Sequence, residues 1–295
     1  MTRLGIIGYG HMGRSIVGGL ARENPDLEVG VVEKDPERLR QAQESDQVAA
    51  VRDFTGEIRE LAAWANVTVL ALKPQDLAAF AESVGSDLTD AAVVSILAGT
   101  PMSTICGLLR PARLCRFMPN LAALVGEAAV GISFEAGDSA ADPDFRSDAF
   151  SVARAIGKPI EVKEELLAAL TGVSGSGLAY AFRFIHALAL GGTLEGMTYE
   201  QALETAIQMV YGAATLLRQN REHPEVMLTR VTSPGGTTIA GVKALEEGAF
   251  SDTVMEAVSA ASRRAREMEQ EGRAGDPESA GNAEPAGDAE AAAGP

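Results

Sequence analysis

The stretch LGIIGYGHMGRSIVGGLAR, Leu4 to Arg22, decides how this chain folds. Leu4 to Ile7 is a short apolar run of strand character, and Ile16, Val17 and Leu20 beyond it have helical spacing. Between them Gly8, Gly10 and Gly13 stand as G-x-G-x-x-G in the order strand, turn, helix, the context that gives this spacing a meaning. The first glycine permits a tight turn, the second lets a pyrophosphate approach the backbone, and the third lets helix pack on strand. The N–H groups that open such a helix have no internal partners and lie at the positive end of its dipole. His11 and Met12 therefore join the three glycines as expected contacts of cofactor phosphate. A glycine turn that holds no nucleotide is the alternative.

The next apolar run, Leu27 to Val32, ends at Glu33, where an acidic side chain accepts hydrogen bonds from an adenosine ribose and favours NAD over NADP. Lys34 follows at once and would attract a 2′-phosphate, so NADPH and NADH both stay open as the cofactor. Strands and helices then alternate: a helix from Pro36, a strand near Val48, a helix from Glu57 to Trp64, and a buried strand from Val67 to Leu72. Leu72, Lys73 and Pro74 fall where that strand ends, Ala98 and Gly99 where the strand Val93 to Leu97 ends, and Asn120 just beyond Arg113 to Phe117. Open α/β sheets place ligands outside the carboxyl ends of their strands, so all of these are expected cofactor contacts. A strand from Val130 to Phe134, a helix from Asp148 to Ile156 and a strand from Pro159 to Val162 complete the alternation. The expected fold class is α/β, with an N-terminal Rossmann-type doubly wound domain over residues 1–162 and an all-helical substrate and dimerisation domain over 163–272.

In the helical half, Leu178 to Leu190 is apolar but interrupted by Arg183 and His186, and falls short of the roughly 20 residues a membrane span requires. It is expected as a core helix, with no membrane partner and with His186 packed in the core. Gly191 and Gly192 should end it, and Thr198 should cap the next helix, Ala202 to Arg218, with Glu200 and Gln201 in its first turn. Apolar residues wrap more than one face of these helices, for which a second subunit is the expected cover, as a homodimer or a higher homo-oligomer.

Within this half lies VTSPGGTTIAG, Val231 to Gly241. Pro234, Gly235 and Gly236 let the backbone turn tightly into a helix N-terminus, where unpaired N–H groups hold a carboxylate or phosphate without any Lys or Arg. Thr237 and Thr238 add hydroxyls beside that anion. The plain alternative is that Ser233 and the threonines merely cap the helix Ile239 to Glu247.

Composition narrows the function. The 295 residues are 46% hydrophobic, enough for a large core and about two domains, and the net charge of −16 argues against a polyanion such as nucleic acid. That acidity fits adaptation to high salt as well as an ordinary soluble protein. Cys106 and Cys115 are the only cysteines, without metal-ligand spacing, so no metal site and no disulfide framework is expected, and buried free thiols in a reducing compartment are. The N-terminus runs straight into glycines and reads as a first strand, not a signal peptide, which makes the cytoplasm the expected location. Residues 273–295 hold no Lys or Arg beyond Arg273 and are expected to be a disordered acidic tail.

Taken together, GYGHMG, VLALKPQ (Val69 to Gln75), SILAG (Ser95 to Gly99), MPN (Met118 to Asn120), TGVSGSG (Thr171 to Gly177) and SPGGTTIAG (Ser233 to Gly241) make the chain resemble the pyrroline-5-carboxylate reductases over Leu4 to about Met268. SGSG followed at this separation by SPGGTT is the specific part. The resemblance implies reduction of the cyclic imine 1-pyrroline-5-carboxylate to L-proline by NADPH or NADH. It places the substrate carboxylate on the backbone around Gly235, Gly236, Thr237 and Thr238, with Ser176 beside it and Glu164 shaping the pocket, and makes the Thr238 hydroxyl the candidate catalytic donor to the imine nitrogen. Departures surround this site: Leu121-Ala122 stand where the family has Thr-Pro, Leu178 where it has Pro, and Ala168 and Leu190 where it has Asp. A related imine reductase with a different ring, and a nucleotide-binding regulator without turnover, are the alternatives.

Overall fold

The computed structural model describes residues 1–44 and 48–274, which divide into two compact units, Met1–Leu167 with the chain from Arg264, and Ala168–Arg263. The first unit carries eight strands: β1 (Arg3–Ile7), β2 (Glu28–Val32), β3 (Ala50–Asp53), β4 (Val67–Leu70), β5 (Ala92–Ser95), β6 (Arg113–Met118), β7 (Ala128–Phe134) and β8 (Gly157–Glu161). They form one sheet in the order β3-β2-β1-β4-β5-β6-β7-β8. Every neighbouring pair is parallel except β6 and β7, which a short turn joins as an antiparallel pair. The order reverses at β1, so the glycine turn that follows β1 lies at a switch point, where open sheets of this kind form a ligand crevice.

Seven helices belong with this sheet: α1 (His11–Glu23), α2 (Pro36–Gln43), α3 (Ile58–Trp64), α4 (Leu77–Val84), α5 (Met102–Leu109), α6 (Asp138–Ala141) and α7 (Pro143–Ile156). Because strand side chains alternate, one strand feeds two cores. Leu4 and Ile6 of β1 join Ile16 and Val17 of α1 and Val152 of α7, while Ile7 joins Leu61 of α3, Leu77 of α4 and Ile105 of α5. The inner strands β1, β2, β4 and β5 read as largely apolar runs for that reason: both faces are covered.

The second unit is helical. The short helix α8 (Leu167–Leu170) passes through a single π turn, Thr171–Gly175, into α9 (Gly177–Leu194), followed by α10 (Tyr199–Asn220), α11 (Pro224–Val231), α12 (Thr237–Glu247) and α13 (Phe250–Ala274), whose residues from Arg264 on count with the first unit. Thr198 caps α10 in a reciprocal capping box with Gln201, as expected from the sequence.

Several expectations are corrected. The strand expected near Val48 is β3, Ala50–Asp53, and the helix expected from Asp148 begins at Pro143, capped by Asp142. Gly191 and Gly192 do not end α9, which runs on to Leu194. A Cβ on Gly192 would lie 2.8 Å from the Ala202 Cβ, so this glycine lets α9 and α10 approach closely and is not a terminator. Nor is α9 a core helix within one chain, since Ala189 is its only buried residue. The continuous helical stretch Glu164–Leu194, 31 residues, is long and apolar enough to cross a membrane, and little of it is fully buried. His186 is likewise not sealed in a core but bonds the Tyr199 hydroxyl through Nδ1 at 2.9 Å. Of the tail expected from residue 273, residues 273 and 274 end α13, and 275–295 lie outside the described residues.

Candidate active site

The three glycines of the first turn differ in what surrounds them. Gly8 sits at φ +97°, in the region only glycine adopts readily, and a Cβ there would meet the Ala71 carbonyl oxygen at 2.7 Å. Its N–H donates to the Val32 carbonyl at 2.9 Å, which fastens the turn to the end of β2. A Cβ on Gly13 would lie 2.7 Å from the Gly8 carbonyl oxygen, so α1 presses against the turn, whereas one on Gly10 would meet nothing within 4 Å. The turn is thus closed behind and open in front. No side chain caps α1, whose first N–H groups remain available beside exposed His11. A cradle open only at its middle glycine fits a pyrophosphate.

Around it stand the other expected cofactor residues of the first unit. Leu72 and Lys73 follow β4, Pro74 opens a single helical turn, and Ala98 and Gly99 follow β5, with Gly99 at φ +66°. Asn120 is buried, and its Oδ1 accepts the Ala122 N–H at 3.1 Å, capping the turn Leu121–Val125. Lys34 is exposed and pairs with Asp76 at 3.5 Å. Glu33, by contrast, is only 6% exposed: its Oε2 accepts the Tyr9 N–H at 2.7 Å and its Oε1 the Asp35 N–H at 3.0 Å. It is not a solvated strand end.

Glu164, expected to shape a substrate pocket, makes its bonds inside the first unit. Its Oε1 accepts the Met102 N–H at the start of α5, at 2.7 Å, and one guanidinium nitrogen of Arg116 at 3.1 Å. Arg116 is 3% exposed and donates its other terminal nitrogen to Glu269 of α13 at 2.7 Å. A buried charge is tolerable when paired and hydrogen-bonded, and this arginine gathers two carboxylates to stay so. Neither Arg116 nor Glu269 stands out in the sequence, because the partners lie 48 and 153 residues from Arg116 along the chain.

The second unit holds the remaining expected residues. The π turn closes with the Ser176 N–H on the Thr171 carbonyl at 2.9 Å, and such single π turns are frequent at functional positions. At the start of α12, Gly235 has φ +66°, a Cβ on Gly236 would overlap Ser233 Oγ, and the Gly236 N–H donates to the Ser233 carbonyl at 3.0 Å. Gly236 is itself the cap, with no side-chain hydrogen bond, so Ser233 and the threonines do not cap this helix.

Their hydroxyls are unusual for this unit. Thr193, Thr205, Thr215, Thr253 and Ser262 each donate to the carbonyl four residues back. Thr237 and Thr238, in the first turn of α12, have no helical carbonyl behind them, and among the described residues their hydroxyls and that of Ser176 make no hydrogen bond. The result is a helix N-terminus with unpaired N–H groups and two unspent hydroxyls, equipped for a small anion.

The remaining reactive groups are quiet. Cys115 is buried and Cys106 half-buried, both free, and desolvation raises both thiols, that of Cys106 to about 11. His223 caps α11 by accepting the Glu225 N–H at 3.2 Å. No group of three or more His, Cys, Asp or Glu among the described residues could hold a metal.

Comparison with known proteins matches this division of the chain. Residues 164–268 match the family described as pyrroline-5-carboxylate reductase dimerisation, and residues 3–99 match the one described as NADP oxidoreductase, coenzyme F420-dependent. A pyrroline-5-carboxylate reductase of Synechocystis is 38% identical over 268 residues, covering 90% of this chain and 98% of the relative. The structure of a pyrroline-5-carboxylate reductase from Coxiella burnetii superposes with a TM-score of 0.82 at 32% identity, over 90% of this chain and 97% of the other. One from Plasmodium falciparum, with NADP bound, shares the fold with a TM-score of 0.74 at 23% identity, over 91% and 98%.

Proposed function

The chain belongs to the pyrroline-5-carboxylate reductase family, and on that premise we propose that it reduces 1-pyrroline-5-carboxylate to L-proline with NADPH or NADH, through the residues assembled above. The observation that carries the reading is the uncapped start of α12 with its free threonine hydroxyls. The substrate carboxylate takes the N–H groups around Gly236, Thr237 and Thr238, which hold an anion by dipole and hydrogen bonds without a formal positive charge. Gly235 and Gly236 make that turn possible, and Ser176 contributes a further hydroxyl.

In the first unit Gly8, Gly10, His11, Met12 and Gly13 hold the pyrophosphate, with Leu72, Lys73, Pro74, Ala98, Gly99 and Asn120 lining the cofactor's path. The nicotinamide supplies the hydride when bound. The protein's part is to fix the imine carbon for transfer and to exclude water, so no nucleophile and no covalent intermediate is required. The amine needs one proton besides the hydride: it arrives with the substrate as an iminium, which the Thr238 hydroxyl then orients, or it comes from solvent by way of the Thr238 hydroxyl, which donates to the nitrogen and is reprotonated by water.

Residues 1–162 serve as the cofactor domain and 163–272 as the substrate and dimerisation domain. The exposed apolar helices of the latter are covered by a second copy in a homodimer or larger homo-oligomer, a reading that the match to a dimerisation family supports. The enzyme is placed in the cytoplasm, where free thiols persist.

The test is steady-state oxidation of NADPH and, separately, of NADH with pyrroline-5-carboxylate, at low and at molar salt. Turnover with formation of proline is expected. Turnover with another cyclic imine alone would shift the substrate to a different ring, with Leu121, Ala122 and Leu178 as the residues responsible. Cofactor binding without turnover on any cyclic imine would overturn the assignment.

A further inference from the structure

Glu33 stands where an acidic side chain ordinarily meets the adenosine ribose, yet its surroundings leave it little with which to do so. In a ribose-reading carboxylate the two oxygens face outward and accept from the sugar hydroxyls. Here each oxygen is aimed inward at a backbone N–H, Oε2 at Tyr9 within the glycine turn and Oε1 at Asp35 at the start of the following helix. The main chain of Glu33 is held as well, with its N–H 3.3 Å from Thr55 Oγ1 and its carbonyl accepting that hydroxyl at 3.3 Å. Tyr9 and Glu33 are both buried, so the Tyr9 N–H has no water to fall back on if the carboxylate is lost.

We propose that Glu33 is a positioning residue for the glycine turn and not the reader of the ribose 2′ position. By drawing the Tyr9 N–H backward it fixes the peptide between Gly8 and Gly10, and with it the direction of the N–H groups that remain for the pyrophosphate. The negative charge that would repel a 2′-phosphate is buried and already satisfied by two donors. Next to it in the chain, the exposed cation of Lys34 pairs with Asp76 at 3.5 Å. Discrimination between NADH and NADPH therefore rests outside Glu33.

The inference rests on reading the glycine turn as the cofactor's phosphate site, and direct binding separates it from the reading of the substrate. Fluorescence titration of the full-length protein with NADH, NADPH and 2′-deoxy-NADH needs no turnover. NADH and 2′-deoxy-NADH are expected to bind within about threefold of each other, because no carboxylate is spent on the 2′-hydroxyl. Glu33→Gln, which keeps the volume but turns one acceptor into a donor facing a backbone N–H, is expected to weaken NADH and NADPH alike by about tenfold. In turnover it should raise KM for both cofactors while kcat at saturating cofactor stays within about twofold, a split that general loss of structure would not produce.

A loss of tenfold or more for 2′-deoxy-NADH in the unaltered protein overturns the proposal. So does a variant in which NADH weakens while NADPH tightens. Should Glu33→Gln fail to fold, the comparison of NADH with 2′-deoxy-NADH decides alone. Cofactor binding as described with no reduction of any cyclic imine would sink the substrate assignment and leave the role of Glu33 standing.

Discussion

The two units of this chain are built on opposite terms. In the first, Leu4, Ile6, Val29, Val31 and Val69 are wholly buried, and the sheet is covered on both faces by helices of the same chain. In the second, α10 buries only Ala202 and Ala206, α11 and α12 bury nothing, and Phe182, Tyr211 and Leu194 stand 59%, 66% and 87% exposed. The first unit has a complete core and presents open backbone at a loop; the second lacks a core of its own and needs apolar surface from elsewhere. Large apolar side chains left exposed in this number point to an interaction site, and the match to a dimerisation family supports a homo-oligomer.

The sharpest way to break that contrast is to put a charge on the uncovered face. Phe182→Glu would bury an unpaired carboxylate in the subunit contact, at a cost of several kcal/mol. The expected outcome is a monomer by light scattering, with activity reduced at least about a thousandfold and NADPH binding by the first unit retained. A variant that stays oligomeric and active would show that this face of α9 is not covered.

The next effect lies in the turn proposed to hold the substrate carboxylate. Gly236→Ala must displace Ser233, whose Oγ a Cβ would overlap, and so shift the N–H groups that follow. A misplacement of this kind is expected to lower kcat/KM for the imine by about a hundredfold while the KM for NADPH changes little. Equal damage to both would place the turn in the general structure instead. Thr238→Ala removes a single hydroxyl from an otherwise intact turn, and a loss of about tenfold in kcat is expected, the worth of one hydrogen bond. Unchanged turnover would take Thr238 out of the chemistry.

A last test, outside the reaction, concerns the closed character of the first unit. Burial raises the Cys106 thiol to about 11, so the reactive thiolate is scarce at pH 8 and grows about tenfold with each pH unit below that value. Alkylation by iodoacetamide at pH 8 should run about a hundredfold slower than for free cysteine, and denaturant should remove the difference. Rapid alkylation of the native protein would mean that the core opens readily.

Much of this was legible in the residues. Gly8, Gly10 and Gly13 declared the turn because each role, conformation, approach and packing, is set by the absence of a Cβ at a fixed spacing. The inner strands β1, β2, β4 and β5 are legible because burial on both faces makes them largely apolar runs, whereas the edge strand β3, AVRD, is largely exposed and its position is not. What local sequence did not show is what depends on distant partners. Gly191-Gly192 has the local look of a helix end, and only the close approach of Ala202 to Gly192 explains it; α9 has the look of a core helix because apolarity does not say which chain supplies the cover. The position of Glu33 is legible, but that its oxygens turn inward to Tyr9 and Asp35 is a matter of conformation. Arg116 gave no signal, since the carboxylates that make it tolerable come from Glu164 and Glu269.

The central claim, that a self-sufficient cofactor unit is joined to a substrate unit completed by a second copy, is tested most directly by following mass and specific activity together on dilution. Analytical ultracentrifugation should give twice the chain mass or a higher multiple. At concentrations where that species dissociates, proline formation and the helical signal of the second unit should fall together, while NADPH binding persists. A monomer that keeps full specific activity and full helicity would contradict it.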